Sequence, residues 1–192
     1  MNDQAMRVIG VPEKFLHADL TTCTDLTRTL VDRLVQWAAD PSGFCVLTGG
    51  VGTGKTYAAI ATMRRVCSAC PRSPDQVYPD ARFITEGRYL KGVRSGFNGG
   101  HFCLRHGNYA GQPWLMVIDD LGRSCTSEWA KQEIIELIDT RYSNNLPTIV
   151  TTNHTLQALG SVVDGRVVDR LVESNAVLDF GSKSLRVPER GK

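Results

Sequence analysis

Apolar residues recur every three or four positions at Leu26, Leu30, Leu34 and Trp37, with Val31 and Val35 on the same side. That is the period of an amphipathic helix, and it predicts one over residues 25–39. Pro41-Ser42-Gly43 ends it. The pattern then changes. Phe44-Cys45-Val46-Leu47 is a short unbroken apolar run, as in a strand covered on both faces. A glycine-rich turn follows, and a helix runs from Lys55 to residue 67. Residues 82–85 read as a second strand, 88–97 as a basic helix, and 98–113, with Gly99, Gly100, Gly107, Gly111 and Pro113, as a loop. Residues 114–118 are the most apolar run and predict a central strand. Ile134, Ile135, Leu137 and Ile138 place an inward face on a helix over 127–142, and 147–152 read as another strand. Two short helical pieces, 156–159 and 167–171, lead to a closing hairpin of 177–180 and 184–187, turned at Gly181-Ser182. Residues 1–24 read as irregular, with Gly10-Val11-Pro12 as a turn or linker signal. No internal repeat is present. Strands alternating with helices predict an α/β fold with a mainly parallel sheet. Ligands of such sheets sit beyond the carboxyl ends of the strands.

Composition narrows the class. The 192 residues suit one domain. With 42% hydrophobic and 22% charged residues, disorder, collagen and coiled coil are excluded. No apolar run is long enough for a membrane span or a signal peptide, so the expected compartment is the cytoplasm. The six cysteines are too few for a disulfide scaffold. A net charge of +2 excludes a strongly basic nucleic-acid coat but leaves room for a local basic patch.

Chemistry concentrates at two strand ends. Gly49-Gly50-Val51-Gly52-Thr53-Gly54-Lys55-Thr56 fits G-x-x-x-x-G-K-[ST] in full, after a strand and opening a helix. Its glycines let backbone N–H groups turn toward phosphates, and the helix N-terminus adds positive charge. Lys55 is expected to reach the β- and γ-phosphates and Thr56 to hold Mg²⁺. Leu115-Met116-Val117-Ile118 ends in Asp119-Asp120. Buried strands rarely end in two carboxylates without a cation nearby. Asp119 is expected to hold Mg²⁺, and Asp120 to orient or deprotonate the attacking water. The competing reading is a strand running out into a polar turn at Leu121-Gly122. Thr148 to Thr152 leads to Asn153, whose amide would reach both γ-phosphate and water if this strand lies beside the Asp119 strand. A cap before Thr155 is the other reading. Arg166 and Arg170 lie four apart on one helix face. Either one acts in trans on a neighbouring subunit's γ-phosphate, or both belong to a surface ion-pair helix with Asp164, Asp169 and Glu173.

These motifs, in this order, resemble AAA+ ATPases, and specifically the DnaC/IstB-like family of helicase loaders and transposition helper ATPases. The resemblance runs from Gly10 to Arg186. It is carried also by Gly10-Val11-Pro12-Glu13-Lys14-Phe15, Phe83-Ile84-Thr85, Asp119-Asp120-Leu121-Gly122, Glu128-Trp129, Arg141-Tyr142, Pro147 to Asn153, Asp169-Arg170-Leu171 and Ser184-Leu185-Arg186. It implies a three-layer α/β/α P-loop fold around a five-stranded, mainly parallel sheet of order 5-1-4-3-2, without a separate C-terminal lid domain. Residues 25–188 would be the ATPase domain, 1–24 a linker and 189–192 a tail. ATP and Mg²⁺ are the implied cofactors. The nucleotide site would comprise residues 49–56 with Tyr57 and Arg186, a sensor-2 substitute. Asn153 becomes the sensor, Arg170 the preferred arginine finger and Arg166 its second. The implied partners are single-stranded DNA, a hexameric replicative helicase or a transposase, and further copies of the chain. Family members usually carry an extra N-terminal domain, whereas here only about 40 residues precede the core, enough for one helix.

Arg88, Lys91 and Arg94 share one face of the basic helix, near the path of single-stranded DNA in the family. They would track a phosphate backbone while Tyr89 or Phe97 stacks on a base, or they form a solvated face. Cys67 and Cys70 with His101, Cys103 and His106 have zinc-ligand spacing, or are half-buried cysteines and a polar loop. The leading expectation is an ATP-driven helicase loader acting in DNA replication. A transposition helper has the same catalytic residues. A small-molecule P-loop kinase fits less well: such kinases place the phosphate loop near the N-terminus and carry an arginine-rich lid, and no lid is evident here.

Overall fold

The computed structural model describes residues 1–23, 26–69, 80–95, 113–173 and 176–185. Helix α1 (Asp3–Val8) and two short 3₁₀ turns lead to α2 (Arg28–Ala39), β1 (Phe44–Thr48), α3 (Lys55–Ala69), β2 (Ala81–Thr85), α4 (Glu86–Arg94) and β3 (Leu115–Asp119). The chain continues through α5 (Glu128–Ser143), β4 (Thr148–Thr151), α6 (Leu156–Val162), α7 (Gly165–Glu173) and β5 (Ala176–Asp179). The five strands form one sheet of order β2-β3-β4-β1-β5, and every pairing is parallel. This is the order expected, written from the opposite edge.

Alternating side chains send each strand's residues to two cores. Cys45, Leu47, Leu115, Val117 and Ile149 face α2, α3 and the N-terminal segment. Phe44, Val46, Met116, Ile118 and Val150 face α4, α5, α6 and α7. The sheet is thus the middle of three layers. Parallel strands covered on both faces read as unbroken apolar runs, which is why β1 and β3 were legible.

Four differences from the sequence reading have physical causes. The N-terminal stretch is not irregular throughout: α1 is capped by Asn2, and Met6, Ile9, Val11, Leu16, Ala18 and Leu20 are buried in the first core. These six fit no single period, so they leave no pattern. Helix α2 starts at Arg28, where the Thr27 hydroxyl accepts the Leu30 N–H. Helix α4 starts two residues earlier than its basic face suggests, because Thr85 caps it. Among the described residues the predicted hairpin does not form: β5 pairs with β1, Ser184 and Leu185 lie outside any strand, and 186–187 of the second arm lie outside the described residues. Beyond Gly181 the chain instead folds back across the turn after β1. The Gly50 N–H donates to Gly181 O, and the Leu185 N–H donates to Gly52 O.

Arg141 of α5 is fully buried at the sheet end opposite the strand carboxyl ends. It donates to Thr148 Oγ1 at 2.6 Å and to the carbonyls of Pro113, Trp114 and Pro147 at 2.9–3.1 Å. Burial lowers its pKa to about 10, still well charged at neutral pH. Arg141→Met keeps the apolar stem and leaves these buried acceptors without donors. It should cost about 3 kcal/mol in urea unfolding, and a loss below about 1 kcal/mol would mean that water substitutes for the guanidinium.

Candidate functional site

The carboxyl ends of β1, β3 and β4 converge on one cleft of about 940 Å³. After β1 the backbone makes the glycine-rich turn. Gly49 has φ +137°, and a Cβ there would lie 2.7 Å from Gly181 O. Gly54 has φ +92° at the entrance to α3. Both positions require glycine. Lys55, 5% exposed, opens α3, and its Nζ donates to Gly49 O at 2.8 Å and Gly50 O at 2.6 Å. The ammonium is therefore fastened inside the loop whose residues 51–54 line the cleft.

The sheet order brings the second half to it. Strand β4 lies between β1 and β3, and its Thr151 joins their ends. Asp119 Oδ1 accepts from Thr56 Oγ1 at 2.9 Å and from Thr151 Oγ1 at 2.8 Å. Thr151 Oγ1 also accepts the Asp120 N–H at 3.0 Å. Sequence reasoning passed over Thr151 in favour of Asn153. The signal available was a hydroxyl two residues upstream, on the strand expected next to Asp119.

Asp120 sits at φ +60°, a left-handed conformation that aspartate tolerates better than most residues. Its Oδ1 accepts from Asn153 Nδ2 at 3.2 Å, and its Oδ2 from Arg123 Nη1 at 3.1 Å. Asn153 is thus beside the Asp119 strand, with its amide on the second carboxylate.

The opposite wall of the cleft is apolar. Phe15, Leu26, Tyr57 and Leu185 line it with Lys14, Thr22 and Cys23. The Tyr57 hydroxyl accepts the Asp19 N–H at 3.3 Å, which ties α3 to the N-terminal segment. Of this wall only Tyr57 was anticipated. The lining thus combines a phosphate-type glycine loop with apolar side chains that suit a flat apolar group.

Thr56 Oγ1 and Asp119 Oδ1 fit a small divalent cation. They are 2.9 Å apart, and neighbouring oxygens around an octahedral Mg²⁺ are about 3 Å apart. Burial raises the Asp119 pKa, against the hydroxyl bonds from Thr151 and Thr56 that lower it. The unfolded carboxyl therefore ionises at lower pH than the folded one. Stability is lost as pH rises from the ordinary carboxylate range through the raised folded pKa. Without Mg²⁺ at neutral pH, Asp119→Asn should melt at a higher temperature than the parent. A lower melting temperature would show that the hydroxyl bonds to the charged oxygen outweigh its burial.

Other expected site residues lie elsewhere. Arg170 pairs with Asp139 of α5 and lies 5.5 Å from the Tyr142 ring, and Arg166 pairs with Asp164 at 3.1 Å. Neither lines the cleft. Arg186 lies outside the described residues. Arg88, Lys91 and Arg94 are exposed on α4, with Arg94 held 4.7 Å from the Trp129 ring. Tyr89 is buried, so its ring is not offered to a base, and Phe97 lies outside the described residues. Cys67 is buried, whereas Cys70, His101, Cys103 and His106 lie outside the described residues. Among the described residues no cluster of three metal-ligating side chains occurs, and no helix is long and apolar enough to cross a membrane.

The chain is 24% identical to a putative insertion sequence ATP-binding protein, y4pL, of Sinorhizobium fredii, over 97% of this chain and 74% of that one. It is 27% identical to the replicative helicase loader DnaC of Escherichia coli K12, over 77% of this chain and 58% of that one. Among solved structures, the DnaC helicase loader superposes with a TM-score of 0.71 at 21% identity, covering 88% of this chain and 99% of that one. DnaI superposes with a TM-score of 0.64 at 18% identity, covering 95% of both chains. The family profile described as IstB-like ATP binding protein matches residues 6–192. The glycine loop, the carboxylates across β4 from it and this match over nearly the whole chain make the protein a member of the IstB-like ATP-binding family.

Proposed function

We propose that this chain hydrolyses ATP between copies of itself and uses the cycle to load a replicative helicase on single-stranded DNA. The observation that carries hydrolysis is the Asn153–Asp120 pair at the mouth of the cleft, across from the phosphate loop. An amide and a carboxylate so joined can hold one water between them. Asp120 takes the water's proton as its oxygen attacks the γ-phosphorus, and the bond to the β-phosphate oxygen breaks, leaving ADP and phosphate. Lys55 and, from a neighbouring copy, Arg170 face the charge spread over the γ-oxygens. Mg²⁺ held by Thr56 and Asp119 would neutralise the β- and γ-phosphates.

For the DNA, Arg88 and Lys91 are exposed cations three residues apart on α4. Arg94 already stacks on Trp129 and should contribute less. Arg88→Glu with Lys91→Glu should weaken oligothymidylate binding by tenfold or more and flatten its salt dependence by about two phosphate contacts. An unchanged salt slope would remove α4 from the DNA path.

The transposition reading is favoured by the family match and by the insertion-sequence relative, which aligns over 97% of this chain. The deciding experiment is affinity capture from host extract with ATP and Mg²⁺. Recovery of a hexameric helicase supports loading. Recovery of a transposase moves the same ATPase to transposition and overturns the loader.

A further inference from the structure

Glu86 is fully buried, and no step above uses it. It is the first residue of α4. Its Oε1 accepts from the Gly122 N–H at 2.9 Å and from the Cys125 thiol at 2.9 Å, and its Oε2 accepts from the Ser124 N–H. All three donors belong to the turn that follows Asp119-Asp120. Burial, then the bond to Glu86, pushes the Cys125 thiol well above its usual range, so it keeps the proton it donates.

That turn has little latitude. Asp120 is left-handed, and Gly122 has φ +88°, where a Cβ would lie 2.8 Å from Leu159 and 2.9 Å from His154. The turn is held from two sides: Asp120 and Leu121 are tied to Thr151 and Thr152 at the end of β4, and Gly122, Ser124 and Cys125 are tied to Glu86 at the start of α4. The same nine-residue helix carries the exposed Arg88 and Lys91. Glu86 thus lies on the same short helix as the two exposed cations, two and five residues before them.

We propose that Glu86 is a positioning residue: it holds the turn that aims Asp120, and so links what binds α4 to the hydrolysis step. This rests on the function proposed above, in which Asp120 serves hydrolysis and α4 meets single-stranded DNA. A purely structural Glu86 would affect stability and nucleotide affinity together. A positioning Glu86 affects turnover and its response to DNA.

The test uses the full chain with Mg²⁺-ATP and an oligothymidylate. Glu86→Gln keeps the shape but puts an amide NH₂ where one of the accepting oxygens stood. We expect kcat to fall by about tenfold to a hundredfold, because small misplacements of a reacting group cost this much. Nucleotide affinity should stay within about twofold, and stimulation by oligothymidylate should vanish while the oligonucleotide still binds. Unchanged kcat with unchanged stimulation overturns the proposal. So does a parallel loss of kcat, nucleotide affinity and melting temperature. If Glu86→Gln fails to fold, Cys125→Ala decides by the same split: it removes one donor and should lower kcat and stimulation by about threefold. Asp120→Asn runs alongside. Hydrolysis surviving in Asp120→Asn sinks the proposed function itself. An inactive Asp120→Asn beside a fully active Glu86→Gln sinks only the role of Glu86. A wild-type chain whose turnover ignores oligothymidylate breaks the link to α4.

Discussion

Lys55→Ala is expected to end ATP hydrolysis, lowering turnover by about a thousandfold or more. The ammonium is buried and held by two carbonyls of the loop itself, at 2.8 and 2.6 Å. Its third contact is to Thr53 Oγ1 at 3.4 Å, so it exchanges that weakest bond for a phosphate oxygen while the two carbonyls keep it in place, and a charge held in the site is worth more than one recruited from solvent. The loss should grow with the number of phosphates, so ATP binding weakens more than AMP binding. Lys55→Arg should not rescue, because a planar fork does not fit between Gly49 O and Gly50 O. Steady-state hydrolysis and titration with fluorescent nucleotides check both points. Turnover within about tenfold of the parent would end the assignment.

Arg170→Ala is expected to cut turnover by about a thousandfold while leaving nucleotide affinity within about threefold. The guanidinium is held by Asp139 and lies over Tyr142, whose hydroxyl donates to Glu173 at 2.6 Å. Helix α5 thus holds its tip, which must leave Asp139 to act elsewhere, and it lies outside the cleft of its own chain. To reach a γ-phosphate it needs a second copy. Mixing is the decisive measurement. Lys55→Ala and Arg170→Ala are each inactive alone, but a mixed assembly pairs an intact Lys55 with an intact Arg170, and activity returns in part. Wild-type turnover in Arg170→Ala, or a mixture that stays silent, rejects the shared site.

Much of this was legible because each feature had a local signature. Buried parallel strands are unbroken apolar runs, so β1 and β3 stood out, and the glycine spacing before Lys55 has few other uses. Placing β4 beside β3 needed the family resemblance, since period and propensity say nothing about strand order. What escaped has no local signature. Thr151 matters because β4 falls between β1 and β3. Glu86 reads as an ordinary first-turn acid of a helix, and only the folded chain sets it beneath Gly122 and Ser124. Phe15 reaches the cleft from a segment whose apolar residues follow no period, and Leu26, which opens the periodic run, lies before the start of α2 and lines the cleft instead. Within the described residues 181–185 the hairpin reading missed the path of the chain, because a strand followed by a glycine turn looks the same whether the chain returns alongside or crosses over another loop.

The crossing of the phosphate loop by residues 181–185 sets the order of events at the ribosome. Strand β1 pairs only with β4 and β5, so Cys45 waits for Ile149 and Ala176, about 100 and about 130 residues downstream. Gly50 and Gly52 wait longer still, for Gly181 and Leu185. At about 5–20 residues per second, roughly 7 to 25 seconds separate synthesis of the loop from arrival of the residues that brace it. A nascent chain carries the whole glycine motif for that interval without the braced pocket. The cleft, which Leu185 lines, is therefore complete only once the chain has passed residue 185.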